Sequence, residues 1–354
     1  MFKKRRVFGV LLAALTLFFL ADGQIVSAAG PAGILAPGAK WEELSRIGLS
    51  TSEGVVADRN GMVYASDITR SATTRQNYAG GAIYRFDPKT GVTAKFMEPT
   101  RVANGLHIDK NGDLLIAQAN DETVGGRAIV RRNLKTGETT MVADSYQGKR
   151  LVSPNDVTSD ALGRVYFTDA RYGGDEPYEL PNAIYRVDPN GRITQLASDV
   201  LRPNGIEVSP DGKRLYVSTT NLPSLKINPH GPAKDRFGIS TGGVVVYDLK
   251  RDGSISNGRL FYQHDQLAAD GMAMDTEGNL YVAFHNANPK APKGDIVVLS
   301  PEGRLIERLP LLENTLPSNL GFGRAADANS LYITNLAQWR LFRIKTVRRG
   351  LYWD

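Results

Sequence analysis

The sequence predicts an all-β fold, a six-bladed β-propeller with a central metal-binding channel. Three observations carry that expectation. One pattern recurs six times at a period near 50 residues, each copy reads as a β-hairpin, and each opens on a polar side chain at one offset.

The copies begin at Glu53, Asn104, Asn155, Asn204, Asp270 and Asn319, spaced by 51, 51, 49, 66 and 49 residues. Asn104-Gly-Leu-His-Ile-Asp-Lys-Asn-Gly-Asp-Leu-Leu-Ile shows the form: a polar head, a short alternating apolar run, a turn closed by glycine, and a second apolar run. In five copies a Gly follows Asp58, Asp109, Asp160, Ser209 or Asp275, because glycine accepts the positive φ of such turns. The sixth, after Arg324, is longer and lacks it. Partner strands follow at Ala82–Gly91, Ala183–Gly191, Val244–Asp248 and Asp295–Gly303, giving about four short strands per copy, a propeller pattern. The wider spacing of 66 places an insertion at Asn221–Gly242, rich in Pro and Gly and read as a long loop, either a lid over the channel mouth or a plain surface excursion.

The chain ends are read by composition. Lys3-Lys4-Arg5-Arg6, the apolar run Val7–Leu20 and the small residues Val26-Ser27-Ala28 form the pattern of a signal peptide over residues 1–28. An exported protein, periplasmic or secreted, with no membrane span after cleavage, is expected. Residues 29–48 are assigned to a linker and a ring-closing strand, 49–346 to the propeller and 347–354 to a tail. A chain of 354 residues with 42% hydrophobic content supports one large all-β domain. It has no cysteine, which excludes disulfides, thiolate zinc sites and cysteine nucleophiles, and only four histidines, so any metal would be held mainly by oxygen. Residues 1–28 carry four basic residues and Asp22, so the net charge of +6 falls to +3 without them. No dense basic run remains, and no nucleic-acid partner is expected.

In a propeller the innermost strands line the channel in one direction, so one repeat offset is one height around the axis. Glu53, Asn104, Asn155, Asn204, Asp270 and Asn319 all present a side-chain oxygen there. Two carboxylates with several amide oxygens suit one hard divalent cation, Ca²⁺ first, with Mg²⁺, Mn²⁺ and Zn²⁺ as alternatives. Asn and Asp also favour strand-entry turns, which accounts for the amides but not for Glu53.

Ser52-Glu53-Gly54, Leu151-Val-Ser-Pro-Asn-Asp156 with Val165-Tyr-Phe-Thr-Asp169 and Tyr172-Gly173, Arg202-Pro-Asn-Gly-Ile206 and Ala269-Asp-Gly-Met272 resemble the gluconolactonase/regucalcin/luciferin-regenerating-enzyme family, and its bacterial lactonase branch above all. The resemblance runs from about residue 50 to 345. It implies Glu53, Asn155, Asn204 and Asp270 as metal ligands and Asn104 as a substrate residue beside the metal. Asn319 joins the ring by position; His285, after the fifth-blade strand, is read either as a substrate-side proton shuttle at the channel mouth or as a surface or packing residue, and His107, alternating with Leu106 and Ile108, as structural. Ser153 stands where regucalcin carries Arg, and Tyr216-Val-Ser-Thr-Thr220 lacks the acidic residue that commonly follows this strand.

The implied activity is metal-dependent hydrolysis of a small lactone or ester, with the carbonyl polarised and Asp270 taking a proton from water. A phosphotriesterase on the same site and a non-enzymatic scaffold propeller are the alternatives. A monomer or weak dimer is expected.

Overall fold

The structure is a computed structural model and describes residues 33–47, 51–68, 80–120, 125–172, 178–222, 225, 230, 235–288 and 290–353. The signal-peptide assignment, Gly173 and much of the insertion in the fourth repeat lie outside the described residues. Six four-stranded antiparallel sheets form the six blades. Their inner strands are Ser52–Ala57, Ala103–Ile108, Pro154–Ser159, Pro203–Val208, Ala268–Met274 and Pro317–Phe322. Each inner strand packs against the next, and the last against the first, so the ring is closed around a channel.

Burial follows from this layout. Inner and second strands are covered on both faces, as in Val165–Asp169, and read as nearly continuous runs of buried residues. Outer strands such as Val92–Met97 are half exposed and alternate poorly. The core is therefore divided among the spaces between neighbouring blades. Tyr166 packs with Ile206, Val217 and Val245 of the following blade, for example.

The turns joining first to second strands repeat one device. Asp58 Oδ1 accepts the amides of Asn60 and Met62, while Gly61 donates back to the Asp58 carbonyl at φ +86°. Asp109, Asp160 and Asp275 do the same in their blades. The second carboxylate oxygen then accepts the phenol of a second-strand tyrosine, as Asp58 does for Tyr64, Asp160 for Tyr166 and Asp275 for Tyr281. In the sixth blade the short 3-10 turn Ala325–Asp327 replaces the glycine turn, and Asp327 meets Tyr332.

The ends of the chain meet in the sixth blade. Strand Glu42–Arg46 pairs antiparallel with Arg340–Lys345 and supplies the outermost strand of a blade whose other three strands come from the C-terminus. Beyond that blade, residues 349–353 run across the end of the channel. Leu351 donates to the Met274 carbonyl, Tyr352 to that of Phe322, and Trp353 packs with Leu249 and its neighbours.

Candidate active site at the channel ring

Every inner strand carries a β-bulge at the same place. Ser52 pairs with Asp67 and Val55 with Ala65, so Glu53 and Gly54 together oppose Ser66. The same two-against-one register recurs at Asn104-Gly105, Asn155-Asp156, Asn204-Gly205, Asp270-Gly271 and Ser318-Asn319. A bulge breaks the alternation of faces and re-aims a side chain. Glu53, Asn104, Asn155, Asn204 and Asp270 all hold its first position, and each is no more than 7% exposed.

Asn319 does not hold that position, which corrects the sequence-based ring. Its register makes it the partner of Gly54 and Asp156, the second bulge position; the ring position in the sixth blade is Ser318. Ser318 turns into the blade interface and donates to the Ser52 carbonyl at 2.8 Å. The signal was present in the sequence. Five ring residues are followed by Gly or Asp and then an apolar residue, whereas Asn319 is followed directly by Leu320.

Hydroxyls on the second strands hold the bulges in place. Ser218 Oγ accepts the Gly205 amide at 2.7 Å and donates to the Asp270 carbonyl of the next blade at 2.6 Å. Thr168 accepts from Asp156 and donates to the Asn204 carbonyl, and Thr334 links the Asn319 amide to the Glu53 carbonyl in the same way. Ser66 donates to the Asn104 carbonyl at 2.7 Å. Each of these groups lies opposite a bulge and joins one ring residue's backbone to the preceding blade. None of them is marked in the sequence, because a lone Ser or Thr in a strand carries no motif.

Two ring side chains are oriented by neighbours. Asn204 Nδ2 donates to Thr220 Oγ1 at 3.0 Å, and that hydroxyl donates onward to the Ala269 carbonyl, which leaves Asn204 Oδ1 as the outward acceptor. Thr220 thus has a task in the very segment that lacks the expected acidic residue. Asp270 Oδ2 is 2.7 Å from His285 Nε2. His285 Nδ1 accepts the Ala287 amide at 2.9 Å, so the neutral ring carries its proton on Nε2 and donates it to Asp270. Both ring nitrogens are engaged and the residue is 3% exposed. His285 is therefore a buried partner of Asp270, the packing alternative of the two readings. Above the ring, the Tyr172 phenol donates to the Pro203 carbonyl at 3.1 Å, and its pKa is raised by burial and then by the charge of Asp270.

Below the ring lies a polar cavity of ≈ 40 Å³, lined by His107, Asp156, Glu207 and Asn319 and by Gly350–Tyr352. Burial pushes Asp156 up to about 7 and Glu207 up to about 8, the latter helped by the Asp156 charge. His107 meets Ser159 at 3.0 Å and is pushed down to about 4 by burial, so it is neutral and structural.

Among the described residues no cluster of three or more His, Asp and Glu comes together. A metal here would be held by the mixed carboxylate–amide set. The donor chemistry fits a hard cation: Glu53 and Asp270 bring the charge, Asn155 and Asn204 neutral oxygens, and Thr220 and His285 occupy the atoms that would turn Asn204 and Asp270 away.

A closed six-bladed propeller with buried oxygen donors at one height defines a class of channel-site propellers. Residues 123–337 match the family described as SMP-30/Gluconolactonase/LRE-like region, and the chain belongs to that family. It is 27% identical to a gluconolactonase of Zymomonas mobilis subsp. mobilis, over 98% of this chain and 90% of that one. A lactonase of Staphylococcus saprophyticus subsp. saprophyticus is 25% identical over 76% of this chain and 72% of its own. The solved gluconolactonase of Xanthomonas campestris superposes with a TM-score of 0.68 at 24% identity, covering 89% of this chain and 91% of that one, and supports the fold.

Proposed function

We propose that this protein is a lactone hydrolase whose ring of Glu53, Asn155, Asn204 and Asp270 holds one divalent cation, Ca²⁺ by its donor set. The observation that carries the reading is that these four buried side chains hold the same position of equivalent bulges on the inner strands, with Asp270 held by His285 and Asn204 by Thr220. The activity of its gluconolactonase and lactonase relatives supports the substrate class.

Bound there, the cation supplies Lewis-acid polarisation of the lactone carbonyl and stabilises the oxyanion. The protein's own groups do the rest. Asn104, at ring height beside Asn155, is the amide that binds and orients the lactone. Asp270 accepts a proton from water as the water oxygen bonds to the carbonyl carbon. His285 keeps that carboxylate in one orientation by its Nε2–H bond. As the ring C–O bond breaks, the proton passes to the departing alkoxide oxygen, giving the hydroxy acid.

Asp270→Asn keeps the volume but removes the base and one charge. Its lactone hydrolysis, followed by pH-stat on sugar and aliphatic lactones, is expected to fall about 10²-fold or more. Dialysis against chelator is expected to abolish activity and Ca²⁺ to restore it. Undiminished hydrolysis by the variant, or activity indifferent to chelator, sinks this mechanism; a metal-loaded wild type inert on every lactone leaves a scaffold.

A further inference from the structure

We propose that the C-terminal segment Arg349–Trp353 is a strap that shuts the lower end of the channel, so that solvent and ligand reach the ring only from the opposite mouth. Access of this kind does not depend on which ion the ring holds or which ester it cleaves.

The outermost strand of the sixth blade is supplied by Glu42–Arg46, so the chain leaving Arg340–Lys345 has no fourth strand to build and is free to turn inward. At the foot of that blade the Arg348 carbonyl accepts from Thr346 Oγ1 at 2.8 Å and from Asn329 Nδ2 at 3.2 Å. The next residues add a short rung to the fifth blade. Thr276 donates to the Arg349 carbonyl at 3.0 Å, Leu351 donates to the Met274 carbonyl at 2.8 Å, and Gly350 bridges antiparallel to Asp275 between them. Tyr352 then reaches the sixth blade. Its phenol donates to the Phe322 carbonyl, and the Arg324 guanidinium lies 4.2 Å from its ring centre. Met274 and Phe322 are the last residues of their inner strands, at the end away from the ring.

Chain ends are poorly ordered unless something ties them down, and here the ties span the whole propeller. Leu351 packs on the core between blades four and five, and Trp353 on that between three and four. Tyr352 packs on the cores between five and six and between one and two. Three consecutive side chains thus bear on all six blades. Gly350, Leu351 and Tyr352 also line the cavity below the ring, together with Val56, Asp156, Glu207 and Phe322. A segment that meets every blade and lines this cavity lies across the channel, not along one edge of it. Its close approach needs glycine, since a Cβ on Gly350 would overlap the Phe322 side chain.

The chain has no cysteine, so one introduced thiol reports access at one place. Val56→Cys puts it in the wall of the cavity below the ring. Val165→Cys puts it in the core between blades two and three, whose buried cluster contains no strap residue. Both are labelled in the full chain with an aryl disulfide, dithiobis(nitrobenzoate). That reagent is too wide to pass from above between the ring side chains, each no more than 7% exposed. The strap is left intact or displaced by Gly350→Val; Tyr352→Ala with Trp353→Ala replaces that variant if it does not fold. With the strap intact both thiols are expected to be protected. Displacing it is expected to speed labelling at position 56 about tenfold or more, with position 165 changed less than about threefold. Fast labelling of Val56→Cys with the strap in place means an open lower end and overturns the proposal. Equal acceleration at both positions, which is loosening of the whole fold, overturns it too, as does protection at position 56 that outlasts the strap.

Discussion

At the end of its strand, His285 donates through Nε2 to Asp270 while its Nδ1 accepts the Ala287 amide. The ring is thus clamped on both sides and buried, so its role is to hold a carboxylate that would otherwise rotate. Replacing it with Phe keeps the packing and removes the donor, leaving a buried carboxylate oxygen without a partner. His285→Phe is expected to weaken Ca²⁺ binding about 10–100-fold, read by calorimetry. Wild-type affinity in that variant would falsify the clamp. The ring positions of Glu53, Asn155, Asn204 and Asp270 are legible in the sequence because the repeat offset is a distance along a strand. The partners Thr220, His285 and Ser218 were not legible in their roles, because a contact between blades leaves no local pattern.

At the scale of elements, the edge strand Glu42–Arg46 carries Glu43, which meets Arg46 at 2.7 Å and also reaches Arg340 on the strand it pairs with. The hydrogen bond from Arg46, joined by Arg340, holds the Glu43 carboxyl at about 2, well below its ordinary value of 4.5. A lowered carboxylate stabilises the fold above its unfolded pKa, and that contribution is lost as pH falls through the folded one. Glu43→Gln is therefore expected to lower stability at pH 7 by about 0.2–1 kcal/mol, a solvent-screened amount. Against wild type, the difference in urea midpoint should close between pH 4.5 and pH 2. A gap that stays constant across that range would rule the ion pairs out as its source. The repeated hairpins, by contrast, were readable in sequence down to the turn, since Asp58 and Gly61 act within four residues of each other.

For the molecule as a whole, closure decides whether six blades hold one channel geometry. Ile34 is fully buried with Phe322, Leu331 and Phe342, and its carbonyl accepts the Val347 amide, so the N-terminal segment is tied to the blade built from the C-terminus. Ile34→Ala opens a cavity at that tie and is expected to cost about 2–5 kcal/mol in denaturant unfolding. A loss below about 0.5 kcal/mol would show that closure rests elsewhere. The sequence by itself determined the six-fold repeat, the hairpin turns and the oxygen-bearing residue that heads five of the six inner strands, because all of these are encoded within a dozen consecutive residues. Only the tertiary structure decided that Asn319 sits one step below the ring and that His285 faces Asp270. Those facts depend on bulge register and on how each inner strand pairs with its neighbour, and neither exists until the sheets have formed.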